Sequence, residues 1–285
     1  MLQQKIKFKP LDFVIILIVI AVGIFFYYRI TVQMEYDSNW KSIPRYLVKR
    51  NAETGNFEAN YLLEGLFTTI RLAIWSTIFG TVLGVIFGVF RTTKILFLRM
   101  VGRAYVELIR NLPPLVLIFI FYYFASGQLL PLLGVEEYIR SRPEQTQRIL
   151  AFFFAEKHLF SQFISGVITI GVFEGSYITE VIRSGIDSIE RGQREAGYSL
   201  GLSWWDQMRF IIMPQAFKQI IPPLGNEFIN TIKRSSIVAA IYIQELTFQG
   251  LQLAMSTMWV FEVWITVAIM YFVVCMLLSL GVSAL

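Results

Sequence analysis

Apolar residues fall along the chain in long runs separated by short charged stretches. A hydrocarbon core about 30 Å thick takes roughly 20 apolar residues per helical crossing, and runs near that length recur here. A membrane barrel is excluded, because its segments of about 10 residues alternate in polarity. Leu66 to Phe90 instead stays apolar apart from Arg71 and small or hydroxyl residues. The first run, Leu11 to Tyr28, follows Lys5, Lys7 and Lys9 and exits at Arg29 without a small-residue cleavage site. It reads as an uncleaved helix with a cytoplasmic N-terminus. Asn39 to Asn60, of mixed charge with Pro44 and Gly55, is expected to be an outer loop.

The second span, Leu66 to Phe90, returns to the inside at Arg91, Lys94, Arg99 and Arg103. A third is expected over Tyr105 to Phe124, broken in its first half by Glu107, Arg110, Asn111, Pro113 and Pro114. Gln128 to Lys157 reads as an irregular outer loop with a surface helix. The fourth span, Phe163 to Ile182, contains Glu174 and Glu180, and a charged cytoplasmic stretch from Gly185 to Pro214 follows. The fifth, Ala216 to Ile243, is interrupted by Pro222, Pro223, Asn226, Glu227, Lys233 and Arg234, and the last runs from Trp259 to Leu280. The pattern predicts an all-α, polytopic transmembrane helical bundle of about six spans with both ends inside. Residues 1–58 form a first helix and outer loop, and 59–285 the main transmembrane domain.

Composition sharpens this picture. With 55% hydrophobic residues and a mean hydropathy of +0.58, the chain has lipid as its main solvent. The net charge of +5 sits beside apolar runs as topology signals and forms no basic stripe, so no nucleic acid partner is expected. Cys275 stands alone in an apolar run, which excludes an intrachain disulfide and assigns it to packing. His158 has no second histidine or cysteine to make a zinc site or triad, so no metal site is expected. Glu174 and Glu180 could be imagined as an acid–base pair, but their spacing puts them on different helical faces and no activated nucleophile is visible. No catalytic residue is assigned, and no soluble block large enough for a receptor domain exists. Gly80, Gly84 and Gly88 recur at every fourth position and predict a close helix–helix contact.

The cytoplasmic stretch carries the densest local signals. Gln193 to Leu200 reads as a short helix, and Gly201 stands where a left-handed cap wants glycine. Ser203 and Asp206 make an S-x-x-D box that starts a second helix, with Pro214 expected to end it. Such an elbow suits insertion into a groove on a partner protein; from the residues alone, a membrane-surface helix fits equally.

Glu195-Ala196-Gly197, then Gly201, then Ile211, Met213 and Pro214 resemble the EAA loop of ABC importer permeases, whose pattern is EAA, three residues, Gly, nine residues, I-x-L-P. Gly replaces the third residue and Met the Leu. Thr68 to Leu72, Tyr105 to Pro113, Tyr177 to Arg183, Pro214 to Ala216 and Pro223 to Ile229 resemble the permeases for polar amino acids, in order, over about Asn60 to Val274. The family often has Lys-Asp-Thr-Ser where this chain has Lys233-Arg234-Ser235-Ser236, and its usual basic C-terminal tail is absent. The resemblance implies a type I ABC importer permease fold in the bacterial inner membrane. It also implies a coupling helix at Glu195, Ala196, Gly197, Leu200 and Gly201, a second permease chain (identical or homologous), and a periplasmic or lipid-anchored amino-acid-binding protein. A separate ATPase subunit would hold ATP and Mg, consistent with the lack of a G-x-x-x-x-G-K-[ST] loop here. A related importer for another small polar solute is the alternative.

Ionisable groups in the bilayer cost about 2.5 to 3.5 kcal/mol each and mark a path or a paired site. A zwitterion there needs an acceptor for its ammonium and a donor for its carboxylate. Glu227, with Asn226 sharing the work, is the candidate acceptor; Arg110 is the candidate donor, with Lys233 in reserve. Snorkelling of Arg110 and Glu107 to the interface is the competing reading. Arg234 points to an acidic or neutral substrate side chain, though a salt bridge to Glu227 or Glu245 would explain it equally.

Overall fold

The computed structural model describes residues 10–29, 36, 38–51 and 55–283. Lys5, Lys7 and Lys9 lie outside the described residues. The chain divides into two compact units, 1–44 and 45–285. The first contains α1 (Pro10–Tyr28), an apolar helix with Asp12 in its first turn.

A short α2 (Pro44–Leu47) leads into an antiparallel hairpin of β1 (Val48–Arg50) and β2 (Phe57–Ala59), with Lys49 opposite Glu58. The hairpin belongs to the second unit, where the sequence reading grouped it with the first helix. The Asn60 side chain donates to the Arg45 carbonyl at 2.7 Å, and Lys49 Nζ lies 3.8 Å from Glu64 Oε1.

The rest is helical: α3 (Tyr61–Thr92), α4 (Leu96–Asn111) and α5 (Pro114–Phe124), the last continuing through a π-helical turn (Ala125–Leu129) into α6 (Leu130–Leu132). Next come α7 (Val135–Arg140), α8 (Glu144–Phe153), α9 (Phe160–Asp187), α10 (Arg191–Ser199) and α11 (Trp204–Gln207). A second π-helical turn (Met208–Ile212) feeds α12 (Met213–Arg234), followed by a 3-10 turn (Ser235–Ile241), α13 (Leu246–Thr257) and α14 (Val260–Ser283). Tyr61–Thr92, Pro114–Leu132 and Val260–Ser283 are long and apolar enough to cross a membrane. α9 and α12 reach 28 and 22 residues with polar positions interleaved.

Several boundaries differ from the sequence reading. The third span begins at Pro114, and Glu107, Arg110 and Asn111 belong to the separate helix α4. Pro113 forces Leu112 into the extended region (φ −98°, ψ 148°), which ends α4, and Pro114 opens α5 where its missing N–H costs nothing. Pro222 and Pro223, by contrast, do not interrupt α12. Buried Ala216 and Ile220 before them and Ile229 and Ile232 after them hold the helix against its neighbours. Pro214 does not end a helix either; it sits in the first turn of α12, where a proline is tolerated. The expected outer loop contains α7 and α8, closed by the i,i+4 pairs Glu136–Arg140 at 3.0 Å and Glu144–Arg148 at 2.8 Å. Helix α13 has no counterpart in the sequence reading.

Helix α9 is the centre of the bundle. Helices in lipid gain little from apolar burial and associate through close packing, which small residues allow. A Cβ on Gly80 of α3 would stand 3.1 Å from both the Gly171 carbonyl oxygen and the Gly175 nitrogen of α9. One turn on, a Cβ at Gly84 would meet Ile178 Cγ2 at 2.5 Å, and one at Gly88 would meet Ile182 Cγ2 at 2.7 Å. Tyr105 brings α4 to the same helix by donating to the Val172 carbonyl at 2.6 Å. At the other end, buried Glu245 caps α13. It accepts from the backbone of Thr247 at 2.9 Å and Phe248 at 2.8 Å, while Tyr271 Oη donates to it from α14 at 2.8 Å.

Gly88→Ala is therefore expected to lower stability by about 1–3 kcal/mol through overpacking against Ile182. Gly281→Ala, with nothing within 4 Å of the added carbon, serves as the control and should be neutral or mildly stabilising. Thermal unfolding midpoints of the two variants in the same detergent check this.

Candidate functional site

Two places combine unusual chemistry with fixed geometry. The first lies inside the bundle. Glu174 of α9 is fully buried, and its Oε2 accepts from Arg234 Nη1 of α12 at 2.9 Å. The same Nη1 donates to Glu227 Oε2 at 3.3 Å, one helical face along α12. Arg234 also lies 4.3 Å from the Tyr177 ring centroid, and Arg110 lies 4.9 Å from that ring. Glu174 Oε1 is buried without a hydrogen-bond partner. Thr77 of α3 donates to Thr231 Oγ1 at 3.4 Å, and Thr231 donates to the Glu227 carbonyl at 2.9 Å, so α3, α9 and α12 all meet at this point.

Of the residues picked from sequence, the structure brings Glu227 into this cluster and leaves Arg110 at its edge, across Tyr177. Asn226 and Lys233 are exposed, seven residues apart on one side of α12. Glu107 is exposed and pairs with Arg103 at 2.6 Å. Arg234 pairs with Glu227, one of the two partners considered for it, and also with Glu174, which the sequence reading did not link to it. Glu180 pairs with Arg91 of α3 and with Arg183 at 3.0 Å, well apart from Glu174 in role.

The second place is the elbow. Helix α10 ends in paired hydrogen bonds: the Leu202 N–H donates to the Gly197 carbonyl at 3.1 Å and the Gly201 N–H to the Tyr198 carbonyl at 2.9 Å. Gly201 has φ +73°, the left-handed cap that glycine makes without strain. Ser203 Oγ accepts from the Asp206 N–H at 3.2 Å and starts α11. Gly197 is buried because a Cβ there would stand 2.8 Å from Gln207 Cγ. Gln207 in turn donates to the Leu202 carbonyl at 3.0 Å and closes the turn from inside. Gln207 carried no motif signal in the sequence. Glu195, Ala196 and Leu200 are exposed, Leu200 at 76%.

The elbow is continuous with the bundle on both sides. Arg194 Nη2 donates to the Ile186 carbonyl at 3.1 Å, and Ile182, Ile186, Met208, Ile212 and Ala216 share one buried cluster. The π-helical turn carries α11 into α12 without a break.

Residues 80–285 match the family model described as binding-protein-dependent transport system inner membrane component. The chain belongs to this family.

The permease is 34% identical over 221 residues to the probable glutamine ABC transporter permease protein GlnM of Bacillus subtilis (strain 168), covering 78% of this chain and 89% of that one. It is 30% identical to the glutamine transport system permease protein GlnP of Escherichia coli (strain K12), over 87% and 94% of the two chains. Among solved structures it matches the crystal structure of an amino acid ABC transporter with histidines, with a TM-score of 0.61 and 30% identity over 79% of this chain and 92% of that chain. Two inward-facing structures of the MetNI methionine ABC transporter, at 17% identity and TM-scores of 0.56 and 0.57 over 79% of this chain and 95% and 94% of theirs, share the fold. The permease is thus a predominantly helical, non-catalytic membrane transport subunit of type I importer fold. Its Gly197, where the family motif has alanine, is explained by the Gln207 side chain that fills the space.

Removing Arg234 would leave Glu174 as a buried carboxylate without its partner. Arg234→Met is expected to destabilise the permease by about 3 kcal/mol, whereas Lys233→Met, on an exposed position next to it, should stay within about 0.5 kcal/mol. Comparing unfolding midpoints of the two variants checks this.

Proposed function

We propose that this permease carries a polar amino acid across the bacterial inner membrane as part of an ATP-driven importer. Of the relatives named above, one is a glutamine transport permease and the other a probable one, and the structure at 30% identity is of an amino acid transporter, which supports that substrate class. The chain has no phosphate-binding loop, so ATP and Mg belong to a separate ATPase subunit. A second permease chain and an amino-acid-binding protein outside the membrane complete the assembly.

The observation that carries this reading is the elbow. Its two helix ends are capped, its exposed face holds Glu195, Ala196 and Leu200, and its root shares a core with α9 and α12. A push on Leu200 is therefore a push on the helices that hold Glu174, Glu227 and Arg234. Docking of the ATPase at Glu195, Ala196, Gly197, Leu200 and Gly201 would convert its closure into movement of these helices. Glu227, Asn226, Arg110 and Lys233 would meet the substrate. Glu227 and Asn226 would attract its ammonium; Arg110 would attract its carboxylate, with Lys233 in reserve.

Gly201→Val places a β-branched residue at φ +73°, a conformation costing an L-residue about 1–2 kcal/mol or more. The reconstituted complex should lose most of its substrate-stimulated ATP hydrolysis while the subunits still copurify. Undiminished stimulation would remove the elbow from the coupling route.

The elbow is also expected on the cytoplasmic side, since the Arg91, Lys94, Arg99 and Arg103 cluster sets that orientation. A Ser203→Cys probe in a Cys275→Ala background should resist an impermeant thiol reagent in intact cells and react after permeabilisation. Labelling in intact cells would reverse the topology.

A further inference from the structure

At the elbow, between the end of α3 and helices α10 and α11, lies a cavity of about 160 Å³. Buried Met208 and Ile212 line its inner side, and its two charged residues are both cations, Lys94 and Arg194. No carboxylate lines it. Among the described residues neither cation is paired with an acid: Lys94 Nζ stands 4.7 Å from the Tyr198 ring centroid, and Arg194 commits Nη2 to the Ile186 carbonyl at 3.1 Å. Trp204, whose indole N–H donates to no protein acceptor among the described residues, lines the same space. The recess is therefore rich in donors and positive charge and offers nothing to balance them.

We infer that this recess binds a phosphate group, and that the group is the head-group phosphate of an anionic phospholipid in the inner leaflet. Lys94 and Arg194 supply charge-assisted donors from two separate elements, and the Trp204 indole adds a neutral one. Basic pockets on the cytoplasmic side of membrane helices take such head groups. The surroundings favour a lipid over a free phosphate. Ile95, Leu96 and Phe97, directly after Lys94, are all exposed, and acyl chains would cover them. Exposed Trp205, beside Trp204, suits the head-group level, where tryptophan is enriched. A choline head group fits poorly. Its ammonium would face two cations, and the Tyr198 ring that could receive it already holds Lys94.

The site stays open when an ATPase docks on the elbow. Arg194 and Tyr198, four residues apart, lie on one face of α10, and the helical period puts exposed Glu195, Ala196 and Leu200 on the opposite face. A lipid held by Lys94 and Arg194 joins the turn after α3 to α10 and braces the elbow from the side of the bundle. This bracing role rests on the reading of the elbow as the coupling element; the binding site itself does not.

The test titrates the full-length permease in detergent with phosphatidylglycerol and with phosphatidylcholine of the same acyl chains, and counts bound lipid by native mass spectrometry. Phosphatidylglycerol should bind at least about fivefold more tightly, the factor that one basic residue near a membrane surface supplies. Lys94→Gln should lower its affinity about fivefold, and Lys94→Arg should retain it. Arg99→Gln, which removes an exposed charge of the same basic cluster outside the recess, should change it by less than about twofold. Equal binding of the two lipids, or equal losses in Lys94→Gln and Arg99→Gln, overturns the site. Inorganic phosphate in excess should leave the lipid bound; displacement would give the recess to a free anion and overturn the lipid assignment. Adding the ATPase subunit should also leave the lipid bound, and its loss on assembly would overturn the site in the working transporter. In proteoliposomes, a rising phosphatidylglycerol fraction should raise substrate-stimulated ATP hydrolysis more for the wild type than for Lys94→Gln. Equal responses overturn the bracing role. Lipid binding as expected without uptake of any amino acid supports the site and overturns the amino-acid reading alone.

Discussion

The close approach of α3 and α9 is the constraint on which the rest of the bundle depends. In lipid there is no water to drive apolar surfaces together, so two helices stay in contact only where their backbones come near enough for dense van der Waals packing. Gly80, Gly84 and Gly88 open that distance on α3, and Gly171 and Gly175 answer on α9, where a Cβ would fall 3.2 Å from the Ser76 and Gly80 carbonyl oxygens. A side chain at Gly80, Gly84 or Gly88 would push the helices apart. Gly175 has a second use: a Cβ there would stand 2.7 Å from Tyr105 Oη, so the same glycine lets α4 reach the Val172 carbonyl.

With α9 fixed in this way, its other faces become positioning surfaces. Glu174 points toward α12 and meets Arg234; the guanidinium groups of Arg234 and Arg110 lie 4.3 Å and 4.9 Å from the Tyr177 ring centroid; Ile178, Ile182 and Ile186 pass the core down to the root of the elbow. A buried carboxylate is tolerated only with a partner in place. The pair Glu174–Arg234 thus ties the register of α12 to that of α9, and α12 runs without a break through a π-helical turn into the elbow. The buried core thus runs unbroken from the charge pair to the root of the elbow.

What the sequence revealed followed the range of the interactions concerned. The elbow was legible almost completely, because its cap at Gly201 and its start at Ser203 and Asp206 are decided within a few residues. The glycine stripe was legible as a contact but not as a contact with α9 in particular. Prolines were the main source of misreading, since their effect depends on what surrounds them. At Pro113 the flanking Leu112 and Pro114 are exposed and nothing opposes the break, whereas Pro222 and Pro223 lie between buried Ile220 and Ile229. The charge cluster was legible in part. Glu227 and Arg234 share one helix and were paired as one option. Glu174 lies 60 residues from Arg234, and no local pattern joins them. Gln207 illustrates the same limit: its role appears only when Gly197 is folded against it.

The helix seam can be tested directly by a double-mutant cycle on Gly84 and Ile178, whose Cγ2 would lie 2.5 Å from a Cβ at residue 84. Gly84→Ala, Ile178→Ala and the double variant are compared by equilibrium unfolding in one lipid or detergent system. If the backbone approach of α3 and α9 sets the packing, Ile178→Ala removes the atom closest to the new methyl group, and the double variant should be more stable than the sum of the single changes by at least about 1 kcal/mol. Additivity within about 0.3–0.5 kcal/mol would contradict the seam as the organising contact of this permease.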